Sequence, residues 1–184
     1  MKIYTKKGDA GDTGLLFGGA RVSKAGGRTE AAGCVDEAVA ALGVARAALP
    51  AGEALANIVI RLQRELFVVG AELSTHRIRR ARLTPGVSMV TGEMVETLEL
   101  EIDQLTKANP MPTEFIVPGE SPQGAALDVA RSVVRRAERR AVALSAAERL
   151  PDSLVVPYLN RLADLLFVMA RVADGGFRPV RSRE

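Results

Sequence analysis

A polar, glycine-rich segment near the start of the chain carries residue types that suit phosphate binding. Residues 3–14 read Ile-Tyr-Thr-Lys-Lys-Gly-Asp-Ala-Gly-Asp-Thr-Gly and show no apolar periodicity. Glycines let backbone N–H groups turn toward an anion. The cationic and hydroxyl donors of the segment are Thr5, Lys6, Lys7 and Thr13. Asp9 and Asp12 supply carboxylate oxygens of the kind that hold a hard cation. The segment is interpreted as a flexible loop for phosphate and magnesium; the alternative is a polar N-terminus without a ligand.

A second group of candidate side chains lies along the predicted fourth helix. Arg131, Arg135 and Glu138 are spaced i, i+4 and i+7, so they share one helix face, with Asp128 one turn upstream. The arginine side chain ends in a planar fork that fits phosphate oxygens, so several on one face suit a triphosphate. Three more arginines crowd the neighbouring faces: Arg136, Arg139 and Arg140. A solvated helix surface with many salt bridges is the alternative, and this helix by itself does not decide between the two.

The predicted fifth helix carries a mixed stripe. Asn160, Asp164, Phe167 and Arg171 fall at i, i+4, i+7 and i+11, which places a phenylalanine within a polar row. Asn160 is a candidate for hydrogen bonding to a nucleotide, and Phe167 for packing against a flat ligand. The alternative is that Phe167 belongs to the core and that Asn160 is satisfied near the start of the helix.

Composition argues against several classes of site. The chain of 184 residues has one histidine, His76, so neither a histidine-based zinc site nor a Ser-His-Asp triad is expected unless a partner chain contributes. Catalysis would have to use carboxylates, cations, a bound metal or a cofactor. Cys34 is the sole cysteine, which precludes an intrachain disulfide and predicts a reducing compartment, the cytoplasm. A formal net charge of +3 does not imply nucleic acid, and neither a signal peptide nor a membrane-spanning run is recognised.

The elements that position these residues are predicted to be helices. Apolar residues recur at helical spacing, and Pro and Gly mark the breaks. The predicted helices run from about 29 to 49, 55 to 73, 91 to the break at 109–112, 122 to 147 and 153 to 174, with Thr91 and Ser121 as N-caps and a basic loop over 75–87. Five helices with short connections predict an all-α bundle in a single domain.

Four separated blocks of this sequence together resemble one family, the PduO-type ATP:corrinoid adenosyltransferases. The blocks are residues 4–11 with 13–14, residues 33–37, the Phe-Ile-Val-Pro-Gly of 115–119, and residues 130–139 followed by 158–164. Each block is a weak signal alone, but their order and intervals make the resemblance specific over most of the chain.

The resemblance implies a five-helix bundle of the ferritin-like/cobalamin adenosyltransferase type, with an irregular N-terminal nucleotide-binding segment. It implies a homotrimer with active sites between subunits, and transfer of the 5′-deoxyadenosyl group of ATP to the cobalt of cob(I)alamin with release of triphosphate. Magnesium would bridge triphosphate oxygens, with protein ligands unknown. Because Co(I) is itself the nucleophile, this chemistry needs no histidine or serine nucleophile. Within residues 1–184 the resemblance implies an ATP-wrapping loop (1–28), a helical bundle (29–174) and a tail (175–184).

The resemblance also implies roles for individual residues. The implied ATP-binding residues are Thr5, Lys6, Lys7, Gly8, Thr13, Gly14, Lys24, Arg135, Arg136, Glu138, Arg139 and Asn160. The implied corrinoid-binding residues are Phe115, Phe167, Asp36 and Arg131, and the implied catalytic residues are Arg131, Arg135 and Asp36. Asp36 and Arg131 would pair between subunits. Phe115 would crowd the lower face of the corrin and displace its axial base.

This chain departs from the family pattern at Val39, Glu120 and Asp128, where asparagine, glycine and histidine are common. These positions lie toward the corrinoid side. They motivate an alternative function, a corrinoid or nucleotide carrier without efficient catalysis. A nucleic-acid-binding bundle is a further alternative, but no aromatic stacking platform accompanies the arginines. The sequence therefore predicts neither nucleic-acid nor membrane partners. A reductase and a B12-dependent acceptor enzyme are possible partners that the sequence does not identify.

Overall fold

The computed structural model describes residues 3–19, 21–148, 150 and 152–181, and they form a helical bundle. The five α-helices are α1 (Gly27–Ala48), α2 (Ala54–Leu73), α3 (Gly92–Ala108), α4 (Pro122–Glu148) and α5 (Val155–Asp174). The short strands are β1 (Asp12–Thr13), β2 (Val22–Ser23), β3 (Ile116–Val117) and β4 (Arg178–Pro179), and a 3-10 helix spans Arg77–Arg82. The predicted all-α class is confirmed. Residues 182–184 of the predicted tail lie outside the described residues.

The bundle core is made by apolar stripes that recur at helical spacing. α1 packs against α2 and α4, α4 packs against α5, and α3 packs against α5. Where α1 meets α4, fully buried alanines at Ala31, Ala38, Ala130 and Ala137 let the two helix axes approach closely. Larger buried side chains such as Leu162 and Leu166 fill the space on the α5 side. Among the described residues, no helix is both long and apolar enough to cross a membrane.

The predicted helix ends are confirmed where a side chain or a glycine marks them. Thr91 Oγ1 accepts a hydrogen bond from Met94 N at 3.3 Å, and Ser121 Oγ accepts one from Gly124 N at 3.0 Å. Gly175 ends α5 with a φ of 67°, a conformation that costs glycine little.

Two local expectations were wrong or incomplete. Residues 75–87, predicted as a loop, contain the 3-10 helix, whose first turn is capped by a hydrogen bond from Ile78 N to His76 Nδ1. A 3-10 helix of six residues is too short to show an apolar period, so the sequence pattern did not predict it. The tail pairs as β4 with β3 in antiparallel register, Ile116 opposite Pro179 and Val117 opposite Arg178, which fixes the segment that precedes α4.

A buried arginine fixes the place where the N-terminal segment joins the bundle. Arg28, in the first turn of α1, is 5% exposed and donates to Thr75 O at 2.8 Å and to Leu73 O, both at the end of α2. It also pairs with Glu148 at the end of α4. Three helix ends therefore meet at one guanidinium, directly after the glycine-rich loop.

Candidate functional site

The N-terminal loop is shaped by hydrogen bonds to its own backbone. β1 pairs with β2 in antiparallel register, with Asp12 opposite Ser23. Arg21 spans the ribbon, donating to Lys7 O at 2.5 Å and to the Asp12 carboxylate at 2.7 Å. Lys24 Nζ donates to Gly8 O at 2.7 Å. The loop is therefore a folded turn with a cationic side, rather than an unstructured N-terminus.

The absence of a side chain at Gly8 leaves room for the Lys24 ammonium group in this turn. A Cβ atom built on Gly8 would lie 2.7 Å from Lys24 Nζ, so any larger residue would displace the ammonium group from the Gly8 carbonyl. Lys6 adopts a φ of 58°, unusual for a residue with a side chain. Lys6 and Lys7 remain exposed, as do Thr5 and Gly14, while Thr13 is half-buried in β1.

The acidic residues of the loop do not form a metal cage. The Arg21 hydrogen bond lowers the pKa of Asp12, and the same contact occupies one of its carboxylate oxygens. Asp9 is exposed. Within the described ranges, no group of three or more His, Cys, Asp or Glu side chains could hold a metal ion. A magnesium ion here would need most of its oxygen ligands from a bound phosphate chain and water.

The loop is anchored to the far end of α2 and to the 3-10 helix. Leu16 N donates to Ser74 O at 2.9 Å. The Arg82 guanidinium lies 5.1 Å from the centre of the Phe17 ring and donates to Phe17 O at 3.5 Å. These anchors do not involve the arginine row of α4, which consists of Arg131, Arg135, Arg136, Arg139 and Arg140.

The arginine row of α4 is divided between paired and unpaired residues. Arg136 pairs with Glu37 of α1, and Glu138 accepts a hydrogen bond from Asn160 Nδ2 at 3.0 Å. Arg135 and Arg139 are exposed and have no ion-pair partner in the described part of the chain. Two cations are thus free to meet an anionic ligand, beside a carboxylate–amide pair with hydrogen-bonding capacity.

A cleft of ≈ 1040 Å³ opens between the β3 segment, the first turns of α4, and α5. It is lined by Pro112, Thr113, Glu114, Phe115, Ile116, Pro118, Asp128, Arg131, Phe167, Val180 and Arg181. Phe115 is 89% exposed, and so presents its whole ring to any ligand in the cleft. The structure therefore brings Phe115, Phe167 and Arg131 together, as the resemblance implied.

The contact between Asp128 and Arg171 was not predicted from the sequence. The carboxylate of Asp128 bridges two arginines: Oδ1 accepts from Arg131 Nε at 2.9 Å and Oδ2 accepts from Arg171 Nη2 at 2.5 Å. Both guanidinium groups lie against Phe167, 6.0 Å and 5.2 Å from the ring centre. The spacing of Asp128 and Arg131 was a signal for the first contact, but Arg171 comes from another helix.

Asp36 has no hydrogen-bond or ion-pair partner in the part of the chain that the structure describes. It lies exposed on α1. Arg131, its expected partner in a neighbouring subunit, contacts Asp128 on its own helix. The single chain leaves Asp36 available to a second subunit and does not test that pairing.

Comparison with known proteins places the chain among cobalamin adenosyltransferases. The family model described as cobalamin adenosyltransferase matches residues 3–173. The corrinoid adenosyltransferase of Bacillus subtilis is 40% identical over 177 residues, which cover 95% of this chain and 87% of that protein. The cobalamin adenosyltransferase of Cupriavidus metallidurans is 39% identical over 186 residues, covering 100% of this chain and 95% of that protein.

Solved structures of a related enzyme share the fold. A phenylalanine-to-alanine variant of the PduO-type ATP:corrinoid adenosyltransferase from Lactobacillus reuteri, complexed with cobalamin and ATP, superposes with a TM-score of 0.89 at 31% identity. The alignment covers 98% of this chain and 100% of that one. An arginine-to-lysine variant complexed with ATP has a TM-score of 0.86 at 30% identity, covering 97% and 100% of the two chains.

Proposed function

The chain belongs to the cobalamin adenosyltransferase family, and we propose that it transfers the 5′-deoxyadenosyl group of ATP to the cobalt of cob(I)alamin. Co(I) attacks the ribose 5′ carbon with an electron pair. The bond from that carbon to the phosphate oxygen breaks, and triphosphate leaves with the electron pair of that bond. The products are adenosylcobalamin, with cobalt formally Co(III), and triphosphate. The observation that carries the proposal is the cleft bounded by Phe115, Phe167 and Arg131, one helical turn from the free Arg135.

We propose that the N-terminal loop and the arginine row together hold ATP. The exposed lysines and backbone N–H groups of the loop suit a polyphosphate, as do Arg135 and Arg139. The Glu138–Asn160 pair offers both an acceptor and a donor to the nucleoside. The chemical task of these groups is to fix the 5′ carbon in front of cobalt and to stabilise negative charge on the departing triphosphate.

Magnesium would be carried on the phosphates. The Asp12–Arg21 pair and the lack of an acidic cluster among the described residues support a metal held mainly by substrate oxygens. Bound there, the cation would neutralise phosphate charge in the leaving group.

The corrinoid would occupy the cleft. An apolar wall at Phe115 and a ring at Phe167 suit the flat macrocycle, and an aromatic side chain crowding its lower face would disfavour the axial base. Removal of that base makes Co(II) easier to reduce, so the same contact would favour formation of the Co(I) nucleophile.

We propose a homotrimer with its sites between subunits. The exposed, unpaired Asp36, and a loop anchored away from the arginine row of its own chain, support a site completed by a neighbour. In that arrangement Asp36 of one subunit pairs with Arg131 of the next. The lone cysteine is consistent with the cytoplasm. We propose as partners a reductase that supplies an electron to Co(II) and a B12-dependent enzyme that accepts the product.

The test is a direct assay of the purified protein. ATP, magnesium and chemically reduced cob(I)alamin are mixed with the protein, and the visible spectrum is followed together with triphosphate. Adenosylcobalamin and triphosphate formed in equal amounts would support the proposal. Binding of both substrates without triphosphate release would instead favour the carrier function, and absence of binding would refute both.

A further inference from the structure

The ion network under the corrinoid cleft is built around one shared carboxylate. Asp128 is 6% exposed and bridges Arg131, at the edge of the cleft, to Arg171, which is 3% exposed. We propose that Asp128 is a positioning residue for adenosyl transfer: it fixes the guanidinium of Arg131 in the cleft. This inference rests on the proposed function, because the cleft is taken to hold the corrinoid.

Asp128 cannot easily release Arg171. The Nε and Nη1 atoms of Arg171 are buried without a hydrogen-bond partner among the described residues, so its charge is compensated through Nη2 alone. That atom donates to Asp128 at 2.5 Å and to Asp174 at 3.0 Å. A buried arginine that lost one of these carboxylates would be poorly compensated, so the Asp128 carboxylate is held in place.

The hydrogen bond from Arg131 Nε to Asp128 then orients the Arg131 side chain. Asp128 binds Arg131 through Nε, which leaves both Nη groups without a partner among the described residues and able to donate. The Arg131 side chain is 28% exposed and lines the cleft, with its guanidinium over Phe167. An anchored Nε therefore directs two N–H donor groups toward the cleft or toward a carboxylate of a neighbouring subunit.

The far side of the network supplies a matched control. Asp174 also pairs with Arg171, and its side chain is 1% exposed against 7% for that of Asp128, but it contacts Ser121 Oγ at 2.7 Å rather than Arg131. Asp128→Asn and Asp174→Asn each remove one buried carboxylate from Arg171. Only the first changes Arg131, so the pair separates positioning from stability.

The experiment measures KM for cob(I)alamin and for ATP, the thermal midpoint, and the Kd of cob(II)alamin with ATP present. For Asp128→Asn we expect KM for cob(I)alamin to rise about tenfold, in line with losing a charge-assisted contact, while KM for ATP stays within about twofold. The EPR signal of bound cob(II)alamin should show that a smaller fraction of the Co(II) lacks its axial base in this variant than in the wild-type protein. Asp174→Asn should lower the thermal midpoint and leave both KM values within about twofold.

KM does not depend on how much of the protein is inactive. A purely structural role of Asp128 would therefore not raise KM for cob(I)alamin while KM for ATP stays nearly unchanged. Unchanged KM for cob(I)alamin in Asp128→Asn, or an equal rise in Asp174→Asn, would overturn the proposal. If Asp128→Asn does not fold, Asp128→Glu keeps the charge but moves the carboxylate by one methylene. A raised corrinoid KM in that variant supports positioning, and an unchanged one overturns it. Wild-type protein without turnover would refute the proposed function instead, and the cob(II)alamin Kd values would still test Asp128.

Discussion

The N-terminal loop and the helix-borne half of the site are held in place by different physics. The loop, described over residues 3–19 and 21–24, is mostly exposed, is fixed by side-chain contacts to its own carbonyls, and includes Lys6 and Phe17 at positive φ, 58° and 64°. The helix-borne half, formed by α4, α5 and the cleft between them, rests on a buried ion network and a close-packed core. The difference predicts that the cleft keeps its shape through core packing, whereas the loop depends on a few exposed side-chain contacts.

The largest effect is expected from a helix-borne arginine. Arg135→Ala should lower kcat with cob(I)alamin by about 100-fold or more, because in the proposed site Arg135 donates to the leaving triphosphate and one such donor is worth about that much in other enzymes. Triphosphate release measures it. Arg140→Ala is the control, since it removes an arginine from the same helix that pairs with Glu30 at 3.3 Å. Similar losses in both variants would mean that general charge on α4 matters, and not the position of Arg135.

The cleft wall gives the next effect. Phe115→Ala should lower activity that starts from Co(II) and a reductant by about 10- to 100-fold, the scale of losing a buried phenylalanine contact of about 1.5–3 kcal/mol. Activity with chemically supplied Co(I) should survive better. Phe67→Ala, an exposed phenylalanine on α2 outside the cleft, serves as the control. Equal losses in the two assays would refute a role for Phe115 in displacing the axial base.

A smaller effect is expected in the loop. Gly8→Ala should raise KM for ATP by about three- to tenfold, because displacing Lys24 from Gly8 O removes a contact worth about 1 kcal/mol. The thermal midpoint should hardly change, since the loop adds little to the core. In a Lys24→Ala background the same change should have no further effect. A large fall in thermal midpoint would show that the loop contributes to the stability of the fold as the helices do, which would contradict the difference proposed between them.

The smallest effect concerns the scaffold alone. Tyr158 is fully buried in α5 and its hydroxyl donates to Glu65 at 2.7 Å. Tyr158→Phe should reduce the free energy of unfolding by about 1 kcal/mol, measured by urea denaturation, and leave both KM values unchanged.

The same residue predicts a pH dependence. Burial, with Glu65 nearby, raises the pKa of Tyr158 well above 10.0. The unfolded chain would ionise this tyrosine near pH 10 while the folded chain would not, so this part of the stability is present below about pH 10 and is lost as the pH rises. Tyr158→Phe should flatten that alkaline decline; an identical decline in the variant would assign it to other groups.

Much of the bundle could be predicted because its signals are local. Apolar spacing placed all five helices, and Thr91, Ser121 and Gly175 marked three of their ends. The strands β3 and β4 could not be predicted in the same way, since two-residue strands have no period and their pairing joins residues far apart in sequence.

The same distinction between local and long-range signals applies to the candidate site. The i, i+4, i+7 spacing put Arg131, Arg135 and Glu138 on one face of a helix, and the single histidine argued against a Ser-His-Asp triad within one chain. The carboxylate bridge from Arg131 to Arg171 depends on how α4 and α5 are rotated against each other, which no single-helix pattern contains.

The sequence by itself determined the helices, the polar glycine-rich loop and the residue types available for chemistry, because those follow from periodicity and composition. Only the tertiary structure decided which charges meet. It paired Asp12 with Arg21, Glu138 with Asn160 and Asp128 with Arg171, while it left Arg135 and Asp36 exposed. The physical reason is that an ion pair forms wherever packing brings opposite charges within a few ångströms, and that distance is set by the core rather than by the residues that form the pair.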